Sequence, residues 1–216
     1  MTTTEYLMKY YISLLLLVVY LFFTIIAPQL ATAGELPGVE TTPGEKALVV
    51  YYSRTGNTRI VAETIRDNFG CRLQEIEDMK DRSGFFGFIG GMIDVRRNPI
   101  TTINPTTLNL EDYDLLFIGS PIWGMKCAPA ITTFLQASDF TNKKVVLFVT
   151  TSSRMKESAF DEYSELIHTK GGTVIDTFFI KTLWKDTTEI QEAARAILTE
   201  RQSVWMENLD GVSPRK

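Results

Sequence analysis

"ALVVYYSRTGNTRIVAETI", Ala47 to Ile65, decides the fold. Its first six residues, Ala47 to Tyr52, form a continuous β-branched apolar run, the pattern of a strand covered on both faces. Further on, Val61, Ile65 and Phe69 recur at helical spacing, and Gly70 stops the pattern. Between strand and helix lie Ser53, Arg54, Thr55, Gly56, Asn57 and Thr58, three hydroxyl residues around a glycine. A helix start offers backbone N–H groups with no in-helix acceptor and the positive end of a dipole, which together hold an anion. Gly56 lets the backbone come close, and the hydroxyls of Ser53, Thr55 and Thr58 can donate to phosphate oxygens. Simple capping by Asn57 or Thr58 accounts for one hydroxyl, not three. The stretch reads as a phosphate-binding turn.

The same alternation continues outward. "CRLQEIE" (Cys71 to Glu77) is a half-polar strand suited to a sheet edge, whereas "DLLFIGSP" (Asp114 to Pro121) and "KVVLFVTT" (Lys144 to Thr151) are of the buried type. "TVIDTFFI" (Thr173 to Ile180) supplies a fifth strand. Pro129 opens a helix carrying Ile131, Phe134 and Leu135; another carries Phe160, Tyr163 and Ile167 and stops at Gly171-Gly172. Asp186 and Glu189 stand at capping-box spacing before a last helix with Ile190, Ala194 and Ile197. Strands alternating with helices call for a parallel sheet covered on both faces, joined by right-handed crossovers. Ligands of such sheets sit beyond the carboxyl ends of the strands, where strand order reverses. The loops after Tyr52, Ile118 and Val149 occupy that rim.

The second loop reads "Gly119-Ser120-Pro121-Ile122-Trp123-Gly124". A tryptophan between proline and glycine just past a buried strand is poorly placed to fill a core. It can stack on a planar ring, worth about 0.5–1.5 kcal/mol beyond area burial, or pack on the following helix. The third loop, Thr150-Thr151-Ser152-Ser153-Arg154, is small and polar and can present backbone groups to a polar ring edge. Other phosphate loops are absent: there is no G-x-x-x-x-G-K-[ST], no G-x-G-x-x-G at the first helix, and no arginine six residues after Cys71 or Cys127.

A chain of 216 residues, 44% apolar and 11% aromatic, holds one domain and an appendage. Its net charge of −4 with interspersed signs gives no basic footprint, which excludes nucleic acid as a partner. Cys71 and Cys127 have no metal-ligand spacing and make no disulfide framework. The start of the chain differs from the rest. Tyr10 to Ala27 carries no charge, a length that just crosses a hydrocarbon core of about 30 Å. Lys9 before it, and Glu35, Glu40 and Glu45 after it, fit the positive-inside orientation. "Ala31-Thr32-Ala33" offers a small-x-small cleavage site. The division is therefore residues 1–33 as a signal peptide or transmembrane anchor, 34–45 as a linker, 46–202 as the domain and 203–216 as a tail. The domain is expected outside the cytoplasm, anchored by its amino-terminal helix or secreted after cleavage near Ala33.

"YYSRTGNT" resembles the S-x-T-G-x-T phosphate loop of the flavodoxins, and "GSPIWG…APAITTFL" resembles the flavin-flanking segment of flavodoxin-like families. The similarity spans roughly Lys46 to Leu198. It implies an α/β flavodoxin-like three-layer sandwich, with a five-stranded parallel sheet in order 2-1-3-4-5, and bound FMN. Ser53, Arg54, Thr55, Gly56, Asn57 and Thr58 would hold the ribityl phosphate; Pro121, Ile122, Trp123, Gly124, Thr151, Ser152 and Ser153 would flank the isoalloxazine. The implied role is electron carriage with a redox partner protein or a small acceptor such as a quinone. An NAD(P)H-dependent quinone or flavin reductase on the same fold, and a cofactor-free tethered binding module, are the alternatives. No acid/base constellation is evident, and no catalytic side chain is assigned. Gly84 to Ile93, apolar and glycine-rich, reads as crossover packing, or as a flavin lid or membrane-facing patch. Arg96 and Arg97 follow it, His168 reads as structural, and Cys127 as packing.

Overall fold

The structure, a computed structural model, describes residue 17 and residues 43–80, 100–152, 155 and 160–209. Residues 1–40 and 41–216 form separate compact units. Of the first unit only Leu17 is described, so the expected spanning segment lies outside the described residues, as do Gly84 to Ile93, Arg96, Arg97 and Ser153. Among the described residues no helix is long and apolar enough to cross a membrane.

After a 3-10 turn (Pro43–Lys46) come β1 (Ala47–Tyr51), α1 (Asn57–Phe69), β2 (Arg72–Glu75) and a short antiparallel ribbon of β3 (Glu77–Asp78) and β4 (Ile103–Asn104). Then follow β5 (Leu115–Trp123), β6 (Lys126–Cys127), α2 (Pro129–Ala137), β7 (Lys144–Thr151), α3 (Asp161–Thr169), β8 (Thr173–Lys181) and α4 (Thr187–Leu209). The main sheet runs β2-β1-β5-β7-β8 with every neighbour parallel. Counting only its five principal strands, this is the order 2-1-3-4-5. From β1 the chain steps to β2 on one side and later to β5 on the other, so strand order reverses between β1 and β5 and opens a crevice at their carboxyl ends.

The continuous apolar runs follow from burial on both faces. Along β1, Leu48 and Val50 join a core with α2 and α3 (Ile131, Phe134, Tyr163, Ile167). Ala47, Val49 and Tyr51 point the other way, to α1 and α4 (Val61, Ile65, Ile190, Leu198). Strand β7 alternates likewise, with Val145, Leu147 and Val149 on the α2/α3 side and Val146 and Phe148 on the α1/α4 side. Strand β2, half-exposed, is the edge its composition predicts.

Two boundaries differ from the sequence reading. The segment after Ile118 is not a loop: β5 continues to Trp123 and folds back on β6, pairing Ile122 with Cys127 and Trp123 with Lys126. The turn between them uses two left-handed residues, Gly124 (φ 57°) and Met125 (φ 75°). Pro121, which has no N–H, still accepts through its carbonyl from Ala128 N at 3.2 Å. Helix α4 also runs past residue 202 into the expected tail. Trp205, at 1% exposure, extends the stripe of Ile190, Ala194 and Leu198, stacks near Phe69 and Phe178 and meets Phe117 edge-on. Its Nε1 donates to Asp176 Oδ2 at 2.8 Å, and Arg201 bridges the same carboxylate at 3.1 Å. An indole with that much apolar area and a satisfied N–H holds the end of the helix on the sheet.

Candidate functional site

The carboxyl end of β1 leads through Tyr52 to Gly56, the N-cap of α1. Gly56 has φ 93° and ψ −23°, and no side chain caps the helix. The region φ > 0 is open to glycine at little cost. The helix's first turn also lacks any acidic residue, unlike α3 with Asp161 and Glu162 and α4 with Glu189. Its amides and dipole are therefore uncompensated by carboxylate. Helix α4 shows the contrast: Asp186 Oδ1 accepts from Glu189 N at 2.9 Å, and Glu189 Oε2 from Asp186 N at 3.0 Å, a closed capping box.

Within this turn the three expected hydroxyls diverge. Thr55 is exposed. Ser53 is half-buried overall, but its Oγ is closed off from solvent and finds no hydrogen-bond partner among the described residues. Thr58 is 1% exposed, and its Oγ1 lies 2.8 Å from Oγ1 of Thr150, 3% exposed, on β7. Gly56 and Asn57 are half-buried, and a Cβ placed on Gly56 would meet nothing within 4 Å. Arg54 holds its guanidinium carbon 6.0 Å from the centre of the Trp123 ring. Arg59, by contrast, is committed to Glu75 at 2.7 and 2.8 Å. Tyr51 donates to the same carboxylate at 3.2 Å, and burial raises its pKa above the ordinary tyrosine value.

The rim after β5 corrects one expectation. Trp123 is 4% exposed and belongs to the α2/α3-side core, with Tyr52 edge-on at 5.9 Å and 80°. The hairpin with β6 turns the indole inward, where a free loop would have left it outside. Pro121, Ile122 and Gly124 beside it are half-buried. Beneath the hairpin Ser120 Oγ accepts from Ala128 N at 2.9 Å, and the Tyr163 hydroxyl oxygen from Cys127 N at 2.8 Å. Burial pushes the Cys127 thiol up to about 12 and the Cys71 thiol up to about 11, and raises Tyr163 as well. Both thiols are protonated near neutrality, which leaves them inert as nucleophiles. His168 Nδ1 lies 3.1 Å from the Gly172 carbonyl at the far end of the sheet.

The third loop starts with Thr151, buried, and Ser152, exposed. The Thr151 carbonyl accepts from Thr182 N at 2.9 Å, tying this loop to the turn after β8. That turn presents Trp184, 92% exposed with φ 63°. Sequence reasoning placed Thr150 in the third loop but did not pair it with Thr58, gave Tyr52 no place beside Trp123, and did not single out Thr182. Period-two alternation could have found the first: Thr151 follows Val149 to the α2/α3 side, and Thr150 follows Phe148 toward α1.

A family model described as Flavodoxin matches residues 91–187. No curated protein matches the sequence. Among solved structures, a protein assigned as a flavoprotein from Bacteroides eggerthii is 23% identical with a TM-score of 0.55, over 72% of this chain and 96% of that one. A flavoprotein from Lactobacillus acidophilus, solved in complex with FMN, is 24% identical with a TM-score of 0.52, over 62% of this chain and 93% of its own. A third, from Bacteroides uniformis, is 21% identical with a TM-score of 0.54, over 70% of this chain and 99% of its own. Sheet order and these structural neighbours show that the chain has the flavodoxin-like fold, and the stretch 91–187 is similar to the Flavodoxin family model.

Proposed function

We propose that the chain binds FMN at the rim between β1 and β5 and carries electrons. The observation that supports this most is the Ser53 hydroxyl, closed off from water with no partner at the foot of an uncapped helix. A buried hydroxyl left unpaired costs about 1–3 kcal/mol, and a phosphate oxygen is the acceptor that the surrounding chemistry favours. Ser53, Thr58 and the first-turn amides of α1 would hold the phosphate, and Arg54 would add positive charge beside it. Pro121, Ile122 and Gly124 of the hairpin, backed by the buried Trp123, and the start of the third loop would border the ring. When bound, FMN supplies the redox chemistry; the protein holds it, tunes it and screens it from water. The flavoprotein from Lactobacillus acidophilus, solved with FMN, lends the reading weight through shared fold.

The test is an absorption spectrum of the purified protein, with the released chromophore identified by mass. A yellow protein yielding FMN supports the proposal; a colourless one that fails to quench added FMN fluorescence leaves a cofactor-free binding module. A second reading, an NAD(P)H-dependent reductase, draws on Ser152, small and exposed on the third loop, which puts no bulky side chain of its own over the ring. Anaerobic mixing of the holoprotein with NADPH separates the two: rapid direct bleaching supports the reductase.

The uncharged segment Tyr10 to Ala27, with Lys9 before it, supports a site of action at the outer face of a membrane. Protease added to intact spheroplasts should digest the domain; full protection would reject that location.

A further inference from the structure

Thr58 occupies the second position of α1, where no carbonyl four residues back lies within the helix. Other helical threonines donate to a carbonyl of their own helix: Thr64 to Ile60 at 2.7 Å, Thr199 to Arg195 at 2.9 Å and Thr169 to Leu166 at 2.8 Å. Thr58 instead meets Thr150 on β7 at 2.8 Å, both side chains shut off from solvent. Two hydroxyls hold two hydrogens, and the contact between them uses one. If Thr58 donates, its hydrogen is spent on Thr150. If Thr150 donates, the Thr58 hydrogen is free for a ligand at the mouth of the helix.

Resting on the FMN reading, we propose that Thr150 is a positioning residue, which donates to Thr58 so that Thr58 donates to the flavin phosphate. Thr150 thereby sets the preference for FMN over riboflavin. A phosphate dianion is acceptor-only, so its arrival selects the order Thr150 to Thr58 to phosphate. Each bond in such a chain polarises the next in a low-dielectric setting. Burial keeps water from substituting for Thr150, and the rigid anchoring of β7 between β5 and β8 holds the donor in place. Riboflavin, lacking the phosphate, draws nothing from this chain of hydroxyls.

The experiment titrates FMN and riboflavin separately into apoprotein, reading quenching of flavin fluorescence, for wild type, Thr150→Val and Thr150→Ser. Valine keeps the shape and removes the donor. The FMN dissociation constant should rise about tenfold, the worth of one hydrogen bond at the upper end of the neutral range, while riboflavin affinity stays unchanged. Serine should restore FMN binding. Unaltered FMN affinity in Thr150→Val, or equal weakening of both flavins, overturns the proposal. Wild-type protein that binds neither flavin would remove the FMN reading itself, a result distinct from both.

Discussion

Replacing Ser53 by alanine should move stability and affinity in opposite directions. Without ligand, the Ser53 Oγ is buried and unpaired, a cost of about 1–3 kcal/mol. Alanine removes that cost and little packing, so the apoprotein should gain about 1 kcal/mol, or roughly 2–4 °C in a domain of this size. With FMN bound, the same change deletes a charge-assisted hydrogen bond worth about 1.5–3 kcal/mol, weakening binding about 10- to 150-fold. At a flavin concentration of about 100 times the wild-type dissociation constant, ligand stabilises wild type by about 2.7 kcal/mol. A variant weakened about 30-fold would gain only about 0.9 kcal/mol. Thermal melts of apoprotein with and without FMN should therefore cross, the variant higher when empty and lower when loaded. An empty variant that melts below wild type, or equal stabilisation of both by FMN, would refute the assignment of the orphaned hydroxyl to the phosphate.

Three further outcomes are expected. Gly56→Val places a β-branched side chain at φ 93° with open space around it. Backbone strain of roughly 1–2 kcal/mol then re-aims the first amides of α1, and FMN titration should show a larger loss than Gly56→Asn produces. Trp205→Ala should cost about 3–5 kcal/mol in urea unfolding, because it empties the slot beside Phe69, Phe117 and Phe178 and takes the indole donor from Asp176; a loss below about 1 kcal/mol would contradict the docking of α4. For pH, burial raises the Cys127 thiol to about 12 from an unfolded value near 8.5. The folded state keeps its proton after the unfolded state has lost it, so this contribution is complete below about pH 8.5 and fades as pH climbs toward 12. The urea midpoint of wild type should therefore fall more between pH 8 and 11 than that of Cys127→Ala.

Much of the layout was legible because buried parallel strands write themselves as uninterrupted apolar runs. Ala47–Tyr51, Lys144–Thr151 and the Asp186–Glu189 cap stand where the pattern puts them. The hairpin at Trp123 was not legible, because its turn depends on Met125 adopting φ 75°, a conformation its residue type does not advertise. The run of α4 to Leu209 was hidden by Glu200, Arg201 and Gln202, which break the apolar stripe before Trp205 resumes it. Within the site, the phosphate turn was read from hydroxyls adjacent in sequence. The Thr150 contact with Thr58 was not legible because the two residues belong to different elements, and only the sheet's alternation shows which face Thr150 takes.

The Thr58–Thr150 contact joins residues 92 positions apart, so it closes only when the first and fourth principal strands already share a sheet. Non-local pairings of this kind form late, after chain entropy has been surrendered. Under the proposed FMN binding, pigmentation would be a gauge of completed assembly: partly folded chains, or fragments ending before β7, should emerge colourless however well α1 itself has formed.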